Sequence, residues 1–200
     1  MKTPFAALAA GLLGLIPLLW STTAMAIEEP AFQVVQRDGD VELRDYAAYF
    51  VVETDVKAGF DEAGNIAFRR LFGYISGDNR GKQKISMTAP VRQDAAEGGG
   101  QRIAFIVPRE FTRDSVPQPT DAEVRIREQP AQRLAVLRYS GRWTEARYRD
   151  AERQLVDWIT RKGLKATGAS IYARYNAPFV PWPLRRNEVL IPVSGELGKP

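Results

Sequence analysis

The sequence of 200 residues contains no cysteine, no histidine and only three methionines. The missing cysteines exclude disulfides, thiolate metal sites, thiol nucleophiles and cofactors attached through thioethers. Without histidine, no side chain titrates at an unperturbed pKa near neutrality for general acid–base work, and no imidazole is available as a ligand. A glycine-rich phosphate loop and a spaced cluster of carboxylates are also missing. These absences predict a binding protein rather than an enzyme, with no catalytic residues and no protein-ligated metal. Charge of one sign is scarce too. The chain has 28 basic and 24 acidic side chains, a formal net charge of +4, and the two signs are interspersed. The densest basic spots, Arg69-Arg70 and Arg185-Arg186, are too sparse for a nucleic-acid stripe, so no nucleic-acid partner is expected.

A long hydrophobic run occurs once, from Phe5 to Trp20, softened by Gly11, Gly14 and Pro17. It is short for a membrane span, which wants about 20 apolar residues, and it is followed by Ala24-Met25-Ala26, a small-x-small cleavage pattern. The expectation is a signal peptide over 1–26, cut after Ala26. Residues 27–200 then form one domain in the periplasm or medium, with no stable membrane insertion. Retention as an N-terminal membrane anchor is the alternative.

What remains is strongly patterned. "FQVVQ" (32–36) and "VELRDY" (41–46) alternate around Asp38-Gly39, a hairpin signal, and "YFVVETDV" (49–56) is a third strand. From Asp61 the period changes. Phe68, Leu71, Phe72 and Ile75 stand at i, i+3, i+4 and i+7, one stripe of a helix that Gly77 ends. "KISMTAPV" (84–91) and "RIAFIVP" (102–108) read as strands. After a linker rich in proline and charge (109–121) the order returns: strands at 123–128 and 133–141, a helix over 145–163, then strands within 169–176 and 187–193. "LFGYI" (71–75) falls on "LVDWI" (155–159) and "RIAFIVP" on "RNEVLIP" (186–192) at one constant offset. This predicts an α+β fold of two duplicated half-units, about 32–108 and 122–193. Together they would form a distorted, mostly antiparallel β-barrel or curved sheet with two main helices. A ligand cleft is expected where the halves meet.

Three stretches carry a resemblance: "FRRLFGYISGDN" followed by "KISMTAPV", "PWPLRRNEVLIPV" near the end, and the opening "VVQRDGDVELRDYAAYFVVET". In order and spacing they resemble the SOUL haem-binding protein family over roughly residues 32–193. The resemblance implies a two-repeat distorted barrel that holds haem or another tetrapyrrole non-covalently on an apolar surface. The fold is also similar to GyrI-like effector-binding domains, which take varied amphipathic or cationic molecules. That alternative, or a non-haem interaction protein, stays open.

By the resemblance, Phe68, Leu71, Phe72 and Ile75 line the pocket; by periodicity alone the same stripe is core. Basic side chains would hold the propionates. Where the family's haem binders carry lysines this chain has Gly73 and Val180, leaving Arg69 and Arg70 as nearby cations. Met87 is the sole methionine beyond the expected signal peptide. Strand alternation puts it on one face with Ile85 and Ala89, as core or pocket wall rather than iron ligand. Haem would thus be gripped by its faces and edges, at low affinity and without histidine or cysteine on the iron. Glu188 alternates with Leu190 and is expected to point inward. It would either pair with Arg185, Arg186 or Arg174 or offer a counter-charge to a cationic ligand.

Overall fold

A computed structural model describes residues 27–195; the expected signal peptide over 1–26 lies outside the described residues. Ten strands and two α-helices follow in the order β1 (Phe32–Asp38), β2 (Val41–Tyr46), β3 (Tyr49–Val56), α1 (Phe60–Ser76), β4 (Val91–Ala95), β5 (Gln101–Ile106), β6 (Arg125–Gln129), β7 (Gln132–Tyr139), α2 (Glu145–Arg161), β8 (Lys165–Ala166), β9 (Ile171–Arg174) and β10 (Asn187–Ser194). All paired strands are antiparallel, in the order β1-β2-β7-β10-β9-β4-β5-β3-β6, with β8 alongside β10. The two ends of the sheet do not pair, so the α+β fold is an open sheet rather than a closed barrel.

Strands early and late in the chain interleave. β2 lies on β7, with Val41 opposite Leu137, and β6 lies on β3, with Arg127 opposite Val51. β4 and β9 run side by side at the middle. Both helices cover one face. α1 packs on β3 and β5, and α2 on β7 and β10. Two core clusters result, one with Leu71, Tyr74, Ile103 and Phe105, the other with Leu43, Leu137, Leu155, Trp158 and Ile191.

Local chemistry sets the boundaries. Gly39, at φ +60°, makes the tight β1–β2 turn. Gly77, at φ +118°, closes α1: its N–H bonds Tyr74 O, and Asp78 N–H bonds Gly73 O. The side chain of Thr144 caps α2 by accepting from Arg147 N–H. The segment 109–121 is docked rather than loose. The Tyr74 hydroxyl donates to Pro117 O at 2.6 Å, and Val116 is buried.

The stretch "KISMTAPV" departs from expectation, because strand structure begins only at Val91. Pro90 has no N–H to give to a ladder. The preceding groups bond elsewhere: the Thr88 hydroxyl donates to Ile106 O at 2.6 Å and Ala89 N–H to Glu28 O. Alternation therefore fails. Ile85 and Ala89 are buried while Met87 is 38% exposed, so Met87 does not share their face and is not core. The strand expected from 123 starts instead at Arg125, because Asp121 accepts from the N–H of both Glu123 and Val124 and turns the chain.

Candidate functional site

The α1 stripe divides. The helix buries Phe60, Ala63, Ala67, Leu71, Tyr74 and Ile75. Leu71 and Ile75 are thus core. Phe68 and Phe72 stay 40% and 49% exposed at the margin of that contact. Their rings stack with centroids 5.7 Å apart and planes 13° from parallel, and Phe68 meets the core ring of Phe105 edge-on at 5.4 Å. The pair is a flat apolar surface anchored at its base and open to solvent above.

The flank that carries Phe68 and Phe72 also carries Gly64 one turn earlier, and there the helix meets a cation. A Cβ at Gly64 would stand 2.9 Å from Arg174 Nη1. Arg174 lies between the rings of Tyr172 and Trp143 and donates to Gln93 Oε1 at 2.5 Å. Among the described residues no carboxylate pairs with it, and its buried Nε has no acceptor. Burial holds its pKa below the usual arginine value. Arg185 stacks 4.1 Å over Trp143 and is braced by the carbonyls of Pro178 and Val180. This fixes the loop before β10, whose Phe179, Trp182 and Leu184 are exposed.

Arg69 does not join this surface. It borders a separate recess of about 140 Å3 shared with Arg70, Gly73 and Asp78. Arg70 is occupied by the Thr54 hydroxyl at 2.7 Å and by Asp121. Gly73 sits so near Asp78 that a Cβ there would stand 2.8 Å from its carboxylate.

Glu188 lies on the opposite face of the sheet and is fully buried. Of its expected partners only Arg186 is present, at 3.0 and 3.1 Å. Arg174 and Arg185 stack instead on Trp143. The principal partner is Arg44, which donates from both terminal nitrogens at 2.9 and 3.1 Å, and the Tyr175 hydroxyl adds a bond of 2.6 Å. Burial opposes the charge, yet the Arg44 bonds and the Arg44 and Arg186 charges hold the Glu188 carboxyl below its ordinary value. Burial drives the Tyr175 phenol well up and Tyr46 up to about 12, so both stay neutral, Tyr175 donating to Glu188 and Tyr46 accepting from Arg44 Nη1 at 3.1 Å. Two guanidiniums already neutralise Glu188, so it is not a free counter-charge for a cation.

The comparisons agree with this architecture. The sequence pattern described as SOUL heme-binding protein matches residues 27–192. The Homo sapiens protein called Heme-binding protein 2 is 29% identical over 179 residues, covering 83% of this chain and 86% of that protein. Its Mus musculus counterpart is 26% identical, covering 77% and 80%. Among solved structures, the EcmrR C-terminal domain has a TM-score of 0.61 at 12% identity, covering 82% of this chain and 98% of its own. A hydrolase from Listeria innocua has a TM-score of 0.54 at 12% identity, covering 80% and 94%. At such identities the structural likeness speaks for the fold alone. The family match spans nearly all the described residues, and the chain belongs to the SOUL heme-binding protein family.

Proposed function

We propose that this chain binds haem or a related tetrapyrrole non-covalently, with a porphyrin face against the Phe68–Phe72 pair, as a carrier or sink rather than a catalyst. The observation that carries this reading is a stacked aromatic pair left open to solvent on a rigid helix. Covering apolar surface is worth ~25 cal/mol per Å2, so a porphyrin face contributes several kcal/mol before ordering costs. The residues present fit the group at its edge as well. Arg174 is a guanidinium with no carboxylate paired within 4 Å among the described residues, though Asp61 lies near, and Arg185 is held close by through Trp143. Both suit propionates. The sequence has no histidine or cysteine for the iron.

Titrating haemin into the purified protein should therefore give a saturable Soret shift. Zinc and metal-free protoporphyrin should bind within about tenfold of haemin, a difference near 1.4 kcal/mol. Phe72→Asp should abolish the shift while far-UV circular dichroism stays native, and Met87→Leu should leave it unchanged. A low-spin six-coordinate spectrum that collapses in Met87→Leu would overturn the face-held reading.

We also propose export with cleavage after Ala26. Supporting this, the family match begins at Ile27, directly after the small-x-small pattern Ala24-Met25-Ala26. The intact mass of protein released by osmotic shock should begin at Ile27. A full-length mass confined to membranes would favour the anchor.

A further inference from the structure

The face of the sheet opposite the helices is crossed by a strap, residues 27–31, which joins no strand. Its backbone is pinned twice, by Ala89 N–H to Glu28 O at 2.9 Å and by Ala47 N–H to Ala31 O at 3.2 Å. Its side chains are pinned as well. Glu28 accepts from Arg109 N–H at 2.8 Å, and both Glu29 oxygens accept from Arg186 Nη1 at 2.9 and 3.1 Å. Glu29 and Pro30 roof a cavity walled by Phe32, Tyr46, Tyr49 and Tyr175 and backed by Leu134 and Leu190. The space left beneath is only about 10 Å3, room for one water at most. Beside the strap, sharing Glu29, Pro30, Tyr49 and Ile106, opens a recess of about 450 Å3.

The aromatic wall would be unremarked core but for its charges. Arg44 is spanned by Glu42 and Glu188 from the sheet itself. Arg186 stacks 3.6 Å over Tyr175, with Glu188 on one side and only the strap's Glu29 on the other. Arg92 donates to the Tyr49 hydroxyl at 2.7 Å, but among the described residues its buried Nε has no acceptor and no carboxylate stands within 4 Å. With the strap lifted, Arg186 and Arg92 would border an aromatic slot, Arg186 left with only the Glu188 it shares with Arg44 and Arg92 with no carboxylate within 4 Å among the described residues. A desolvated guanidinium in that state is costly unless a carboxylate reaches it.

We propose that this roofed cavity is a second small-molecule site, selective for flat aromatic carboxylates, and that the strap fills it intramolecularly, with Glu29 standing where the ligand's carboxylate binds Arg186. The strap is then a built-in competitor. Apparent affinity is reduced by the fraction of molecules in which it stays down. The site is separate from the surface proposed for tetrapyrrole, which lies on the helix-covered face.

The test uses the full chain and three probes of equal shape: 2-naphthoate, 2-naphthylmethylamine and 2-naphthalenemethanol, titrated by calorimetry. Glu29→Gln removes the competing charge while keeping size, and it should tighten 2-naphthoate by about fivefold, the upper end for an ion pair that is not fully buried. The amine and the alcohol should not gain. Adding Arg186→Gln to Glu29→Gln should erase the gain. If that variant fails to fold, Arg92→Gln serves in its place, with a drop of at least threefold expected. Haemin should not displace naphthoate. No gain in Glu29→Gln, an equal gain for the amine, or displacement by haemin would each overturn the proposal.

Discussion

Replacing Arg44 by leucine should cost about 3–5 kcal/mol of folding stability at pH 7, because it strips the main partner from a buried carboxylate. Arg44 is almost wholly buried and supplies two of the bonds to Glu188, whose own side chain is inaccessible. Arg186 and Tyr175 remain, but Arg186 also serves Glu29. The pH dependence should reverse along with the loss. In the native protein the Glu188 carboxyl lies below its ordinary value. Its contribution is therefore fully present above the unfolded pKa and lost as pH falls through the folded one. Without Arg44, burial dominates and raises that pKa above the unfolded value. Stability then falls as pH rises through the raised value, and the deficit is widest at neutrality. Urea unfolding at pH 7 and pH 4.5 should show the gap narrowing on acidification. Arg44→Leu combined with Glu188→Leu should recover much of the loss, since apolar replacement of a buried ion pair is often close to neutral. A single variant within 1 kcal/mol of the parent at pH 7, or a gap that widens in acid, would sink this account.

The second large effect separates two adjacent residues of α1. Leu71→Ala empties a fully buried position between the helix and β3–β5 and should cost about 3 kcal/mol, within the usual 2–5 for such truncations. Phe72→Ala removes a half-exposed ring and should cost less than about 1 kcal/mol. Ligand response should run the other way. Phe72→Ala should weaken haemin binding by tenfold or more, whereas folded Leu71→Ala should bind nearly as the parent does. Equal stability losses would return Phe72 to the core, and an unaffected haemin titration would remove it from the site.

That contrast shows what periodicity can and cannot tell. The i, i+3, i+4, i+7 spacing correctly located a helix and one of its faces, and Gly77 marked its end. The two phenylalanines of that stripe, however, are not at the centre of the buried arc. The line closest to the sheet runs through Ala63, Ala67, Leu71 and Tyr74. The small alanines permit close approach, and the two phenylalanines are left at the rim. Side-chain bulk therefore overstates burial wherever alanine forms the contact. Arg44 was invisible as the partner of Glu188 for another reason. It is distant in sequence and reaches the carboxylate only because β7 lies between β2 and β10. Alternation at Glu188 revealed burial but could not name a partner that depends on strand order. At Met87, alternation failed because Pro90 and Thr88 take the segment off the ladder.

Interleaving also governs when this protein can exist as a folded object during its synthesis. β10, the last strand of the described residues, sits inside the sheet between β7 and β9, and β7 in turn is the platform for β2. The β1–β2 hairpin and the β3–β5–β4 ladder can pair early, but the strands that join them cannot: Val41 waits for Leu137, and Leu137 waits for Val189. A ribosome must therefore release nearly the whole chain before the sheet can assemble, and such sequence-distant pairing is slow. For a chain proposed to cross a membrane before folding, that lateness is an advantage. The polypeptide stays threadable until its final strand has been delivered, and the architecture of the sheet itself sets the delay.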